Sequence, residues 1–280
     1  MTTARLVILA RLAGGLAASV ALTLLLYGQS LQGWWCCDDP ALLRHARDFA
    51  PWEIFFRPEA YRTLLPYSLQ PLLTLSFGVD LKLFGLQPWG FLLHQLAVIA
   101  LCSWLLQRIA ALWLREGLAQ YAAMVVFLVG SPVAMASQYL MTRHYLEGLL
   151  FFLLGFWLLL RQMMGGPDWL RWPASIALAL AVSAKEVFVP LGLLPFLVPV
   201  GTPAQRLRTA WPWLLVLMGY VAWRRHMLGE FLGGYLPGGT LNTITPQAVV
   251  AAATDAASVL GPWPLPMALG LAVLAIAALS

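Results

Sequence analysis

Asp38 and Asp39 stand at the end of an apolar run, in the segment Trp34-Trp35-Cys36-Cys37-Asp38-Asp39-Pro40. A carboxylate at such a boundary is costly unless it meets a cation, a metal or a reacting group. There, either residue could take the proton from an acceptor hydroxyl as a general base. Asp39 could also hold a divalent cation, Mg or Mn, against a phosphate. Two plainer roles stay open: a cap on a helix opening at Pro40-Ala41, or a place in a solvated loop.

Further along, Arg143 and His144 precede an apolar helix with Glu147 one turn inside it, and Lys185-Glu186 interrupts another apolar run. An ionisable residue at the centre of a membrane helix costs about 3 kcal/mol and by default marks function. If Arg143 and Lys185 share one face, a planar fork and a point charge together suit the phosphate of a lipid-linked donor. The alternative is internal pairing, Arg143 with Glu147 at i,i+4 and Lys185 with Glu186 or Glu147. His94 reads as a hydrogen-bonded packing residue before it reads as a ligand. No GxSxG, HExxH, Walker-type or GxGxxG pattern occurs, which argues against ATP-driven pumps and membrane zinc proteases. Cys36, Cys37 and Cys102 offer neither a disulfide framework nor a metal-ligand spacing.

The elements that must position these residues are membrane helices. Hydrophobic residues make up 61% of the chain, charged residues 10%, and the mean hydropathy is +0.78. Soluble domains are about 45–50% apolar and roughly 25% charged, so lipid must be the solvent for much of this surface. The 13 Trp fit a headgroup boundary. A net charge of +5 arises from scattered basic residues with no cluster, which excludes a nucleic-acid partner. Apolar runs predict an all-α, polytopic helical bundle in a single transmembrane domain, 1–280. Its spans lie at about 6–27, 89–107, 118–140, 145–160, 172–185, 187–200, 211–223 and 262–280. Pro132 is expected to kink the third. Outer loops cover about 28–88 and 224–261, the first built of short amphipathic interfacial helices. The last run ends while still apolar, as a C-terminally truncated chain would.

The positive-inside rule puts the N-terminus in the cytoplasm with Arg5, Arg108, Arg115, Arg161, Arg171, Arg206 and Arg208. Arg143, Lys185, Arg224, Arg225 and the acidic first loop then face outward. The assignment depends on two short helices meeting at Lys185-Glu186, because one span there would invert everything after it.

The order of these features resembles the GT-C fold glycosyltransferases, in particular bacterial relatives of the protein O-mannosyltransferases and the transmembrane-and-TPR O-mannosyltransferases. The resemblance rests on the Asp-Asp pair after the first helix, on Tyr61-Arg62-Thr63-Leu64, on Asp80 with Phe84-Gly85-Leu86, and on Pro88-Trp89-Gly90-Phe91-Leu92-Leu93-His94. Arg143 and Ala184-Lys185-Glu186 complete it. Thr63 replaces the usual Pro, and the His falls later than the family's. The matched run covers about Val20 to Pro195.

What the resemblance implies is a multi-pass enzyme of the bacterial inner membrane. It would transfer a sugar, with inversion, from a polyprenyl-phosphate-linked donor to a lipid, glycan or protein acceptor on the periplasmic face. Asp38 or Asp39 would be the catalytic base or metal carboxylate, Arg143 and Lys185 would hold the donor phosphate, and Arg62, His94 and Glu186 would support them. A transporter or lipid flippase without transferase chemistry is the alternative, with a structural membrane subunit behind it.

Overall fold

The structure, a computed structural model, describes residues 3–114 and 119–231. Every regular element among the described residues is helical. Helix α1 (Thr3–Tyr27) runs into a 3₁₀ turn, Gly28–Gln32. The loop behind it folds as α2 (Asp39–Asp48), α3 (Pro51–Phe56), α4 (Pro58–Arg62) and α5 (Pro71–Phe84), and α6 (Pro88–Ala110) follows. Each of α2 to α6 carries a proline in its first turn. A first-turn residue has no intrahelical N–H bond to lose, and the fixed φ of proline suits that position. The prolines therefore cut the acidic loop into separate helices.

Among the described residues, three helical stretches are long and apolar enough to cross a membrane: Leu12–Gln32, Pro88–Ala110 and Leu140–Met163. The expected kinked helix over 118–140 is instead broken. α7 (Ala119–Leu128) stops, Gly130 is extended, and α8 (Ser131–Ala136) starts afresh with Pro132 in its first turn. Pro132 has no N–H to give the carbonyl of Leu128 four residues back. The hydroxyl of Tyr27, from the end of α1, donates to that carbonyl instead.

α9 (Arg143–Met163) and α10 (Arg171–Ala184) form the central antiparallel pair, joined by a tight connection at Gly165-Gly166-Pro167. Lys185 is extended, so α10 ends before it and residues 172–200 are not one helix. Beyond Lys185 the chain makes only α11 (Phe188–Leu191) and a 3₁₀ turn, Leu194–Phe196, where the sequence pattern predicts a helix over 187–200. Pro190, Pro195 and Pro199 each remove a donor that a longer helix would need. α12 (Pro203–Leu228) is longer than the expected 211–223 and opens with Thr202 accepting from the Gln205 amide. The expected span 262–280 and most of the second outer loop lie outside the described residues.

α9 is packed tightly because it carries glycine where neighbours press in. A Cβ at Gly148 would come 2.1 Å from a Phe188 ring carbon, and one at Gly155 would come 2.8 Å from the Ala174 carbonyl oxygen. Small residues at such crossings let helices approach where no hydrophobic effect drives them together. The main core gathers side chains from α6, α9, α10 and α12, including fully buried Trp213. A second cluster, Leu42, Leu43, Leu73, Phe77, Phe91, Leu92 and Leu140, sits where the first loop meets α6 and the start of α9. It forms the floor of the polar site.

Candidate functional site

Three helices each bring two residues one turn apart to a single buried centre. From α5 come Ser76 and Asp80, from α6 Phe91 and His94, and from α9 Arg143 and Glu147. Arg143 opens α9 and is fully buried. Its Nη1 donates to Asp80 Oδ2 at 2.5 Å and to Ser76 Oγ at 3.1 Å, and its Nη2 donates to the Phe91 carbonyl at 2.7 Å. The guanidinium lies over the Phe77 ring, 4.9 Å from its centroid, and 5.6 Å from that of Phe91. Paired charge and aromatic faces together make a buried cation tolerable.

Asp80 serves two partners. Its oxygens also stand 2.9 and 3.0 Å from His94 Nδ1, while His94 Nε2 is 3.8 Å from Glu147 Oε1. Ser76 donates to that same Glu147 oxygen, and the other, Oε2, is buried without a partner. His94 is thus the hydrogen-bonded histidine that the sequence suggests, bonded to Asp80 and with Glu147 near its other ring nitrogen.

Asp39 is buried completely, whereas Asp38 is exposed. Neither caps α2 with its side chain. Asp38 occupies the N-cap position without a side-chain bond, and Asp39 Oδ2 reaches back to accept the Cys36 N–H at 3.0 Å. Cys37, just before the pair, adopts a left-handed φ of 51°. Asp39 Oδ1 is left buried without a hydrogen-bond partner. Burial pushes its carboxyl above the ordinary carboxylate range, opposed by the Cys36 N–H and by the positive charge of Arg143. Arg143 thus acts on Asp39 through space while it binds Asp80 directly.

Lys185 and Glu186 build a second buried arrangement. Lys185 Nζ donates to Ser68 Oγ at 2.7 Å and to Gln70 Oε1 at 2.9 Å, and lies 5.7 Å from the centroid of the Tyr145 ring. Glu186 turns the other way, pairing with Arg224 and accepting the Leu69 N–H at 3.3 Å. Tyr61 finishes the strap: its hydroxyl donates to the Ser68 carbonyl at 2.6 Å and accepts the Gln70 N–H at 2.7 Å. The segment from Tyr67 to Gln70 is thereby tied to α4, α12 and the end of α10 at once. The first turn of α9 joins the two arrangements, with Arg143 in one and Tyr145 under the cation of the other. Between them His144 is buried.

Internal pairing of Arg143 is thus real, but with Asp80 in place of Glu147. Lys185 meets Ser68 and Gln70, and Glu186 meets Arg224. Arg62 is drawn elsewhere, its Nε donating to the Met227 carbonyl at 2.8 Å near the end of α12. The main partners that spacing did not identify are Asp80, Ser76, Ser68, Gln70 and Tyr61. All lie in the first loop; Asp80, Ser76, Ser68 and Gln70 are far along the chain from the cation or carboxylate they serve, and Tyr61 braces the Ser68–Gln70 backbone locally.

Asp39 is the residue that could hold a cation, and the fit is poor. Among the described residues no group of three or more His, Cys, Asp or Glu is placed to hold a metal ion. A single carboxylate would leave waters and a substrate phosphate to supply every other oxygen around Mg or Mn.

No family model matches the chain, and no solved structure matches it. Two curated proteins do. One is "Protein O-mannosyl-transferase TMTC2" of Mus musculus, 31% identical over 117 residues, a stretch covering 39% of this chain and 14% of that protein. The Homo sapiens protein of the same name is 30% identical over 117 residues, with the same 39% and 14%. The chain is thus distantly similar to an O-mannosyl-transferase, and the match spans about one seventh of the relatives' length.

Proposed function

We propose that this protein is a membrane glycosyltransferase that moves a sugar from a polyprenyl-phosphate-linked donor to an acceptor hydroxyl on the periplasmic face of a bacterial inner membrane. The observation that carries the proposal is Asp39: a fully buried carboxylate at the end of the first span, with one oxygen unpartnered. A buried carboxylate oxygen without a partner calls for an explanation, and a proton taken from a substrate hydroxyl supplies one at the end of the first span. Similarity to an O-mannosyl-transferase supports the same class of reaction.

In this mechanism Asp39 Oδ1 accepts the proton of the acceptor hydroxyl. The acceptor oxygen attacks the anomeric carbon from the side opposite the phosphate. The bond from that carbon to the phosphate oxygen breaks, and its electron pair leaves on the polyprenyl phosphate, so the configuration inverts. Arg143 favours the ionised form of Asp39 and, with Asp80, Ser76 and the Phe91 carbonyl, fixes the start of α9. Lys185 brings a second cation to the same end of α9, and a point charge of this kind suits the departing phosphate. Lipid, glycan and protein acceptors all offer the required hydroxyl.

The test is incorporation of labelled sugar by membranes containing the protein, offered a panel of polyprenyl-phosphate sugars and nucleotide sugars. Transfer from a polyprenyl-phosphate sugar is expected, with none from nucleotide sugars alone. Uptake of a substrate into proteoliposomes without any product would overturn the proposal in favour of a transporter.

A further inference from the structure

A cleft of about 370 Å³ opens between the α2–α3 corner and α5, away from the buried centre. Its lining includes apolar Phe49 and Ile54, with Val79 at its exposed edge, and Gly78 leaves room in its side. Its rim is cationic, with Arg47 and Lys82. Asp48 lies beside them but is already shared by Arg47 and, from outside the cleft, Arg44, so two lining cations face one neutralised carboxylate. Among the described residues Lys82 has no salt-bridge partner.

The apolar surface continues outside the cleft on both walls. Along α5, Val79 and Leu83 stand exposed one turn apart, and Leu86 extends the line. On α3, Trp52 and Phe56 do the same. An apolar hollow with a cationic rim and greasy tracks leading away has the chemistry of an amphiphile site. The first-loop helices that form it follow a membrane span, where headgroups and acyl chains meet.

We infer that this cleft binds an anionic phospholipid of the bilayer, its phosphate on Lys82 and Arg47 and an acyl chain along Val79 and Leu83. Such a lipid would hold the first loop on the membrane surface, whichever reaction the buried centre performs. A cation of this kind favours an anionic lipid over a zwitterionic one about five-fold.

The experiment reconstitutes the full chain with phosphatidylglycerol or phosphatidylcholine and counts retained lipid by native mass spectrometry. Wild-type protein is expected to retain phosphatidylglycerol preferentially. Lys82→Gln should lower that retention about five-fold and leave phosphatidylcholine unchanged. Gly78→Phe, which fills the cleft without touching charge, should lower retention of both lipids, with helix content by circular dichroism as the control for folding. Equal retention of the two lipids by wild-type protein would overturn the inference. So would a phosphatidylglycerol preference that survives Lys82→Gln.

Discussion

Two ion pairs made from the acidic first loop have the same length and opposite surroundings. Arg57 and Glu53 meet at 2.5 Å with side chains 53% and 19% exposed. Arg143 and Asp80 also meet at 2.5 Å, with side chains 0% and 2% exposed. Distance does not separate them, and the solvent does. The first pair gains little over water and is screened by salt. The second has no water to fall back on, so removal of either partner strands a buried charge. One stretch of sequence, uniformly rich in charge, thus contains both a solvated fringe and the lining of the site.

The largest effect expected from this contrast is at Arg143. Arg143→Ala leaves Asp80 and Glu147 buried without their cation and should destabilise the fold by about 3–5 kcal/mol. Thermal unfolding in detergent measures it, and adding Asp80→Asn to Arg143→Ala should recover part of the loss. Independent, additive effects would break the contrast. Next is Tyr61→Phe, which strands the buried Gln70 N–H and the Ser68 carbonyl at a cost of about 1–3 kcal/mol. The same unfolding measurement applies, with increased proteolysis of the 67–70 segment as the local signature. The smallest is Glu53→Gln on the exposed pair, expected to change stability by about 0.2–1 kcal/mol and by less in high salt. A Glu53→Gln effect rivalling that of Arg143→Ala would contradict the distinction.

Much of the helical framework is legible in the sequence. The prolines at 40, 51, 58, 71 and 88 stand at helix starts, and the first, second and fourth apolar runs become helices able to cross a membrane. Arg143, Lys185 and Asp39 are conspicuous because ionisable groups beside apolar runs are expensive. Their partners are not legible. Asp80 is 63 residues from Arg143, and Ser68 is 117 from Lys185, so no helical spacing links them. Local rules instead favour Glu147 for Arg143 and Glu186 for Lys185, and tertiary packing overrides both. The break at residues 128–132 misleads for a related reason. Pro132 signals a disturbance, but only the hydroxyl of Tyr27, a distant donor for the orphaned Leu128 carbonyl, makes a full break tolerable.

Asp38 and Asp39 bring the same contrast down to neighbouring residues, one exposed and one buried. The most direct measurement is the pH profile of sugar transfer for wild-type protein, Asp38→Asn and Asp39→Asn. Asp39 must be ionised to act as a base, and burial holds its pKa above the ordinary value of about 4. Transfer should therefore rise with pH through a carboxylate-like pKa shifted upward. The sign for stability is opposite: the folded chain holds this proton more tightly than the unfolded one, so the contribution of Asp39 to stability falls as pH rises through its folded pKa. Asp39→Asn should lower transfer by about 10²–10⁴-fold and remove that limb of the profile, while Asp38→Asn should retain both rate and profile. Transfer that survives Asp39→Asn with its pH dependence intact would contradict the assignment of Asp39 as the base.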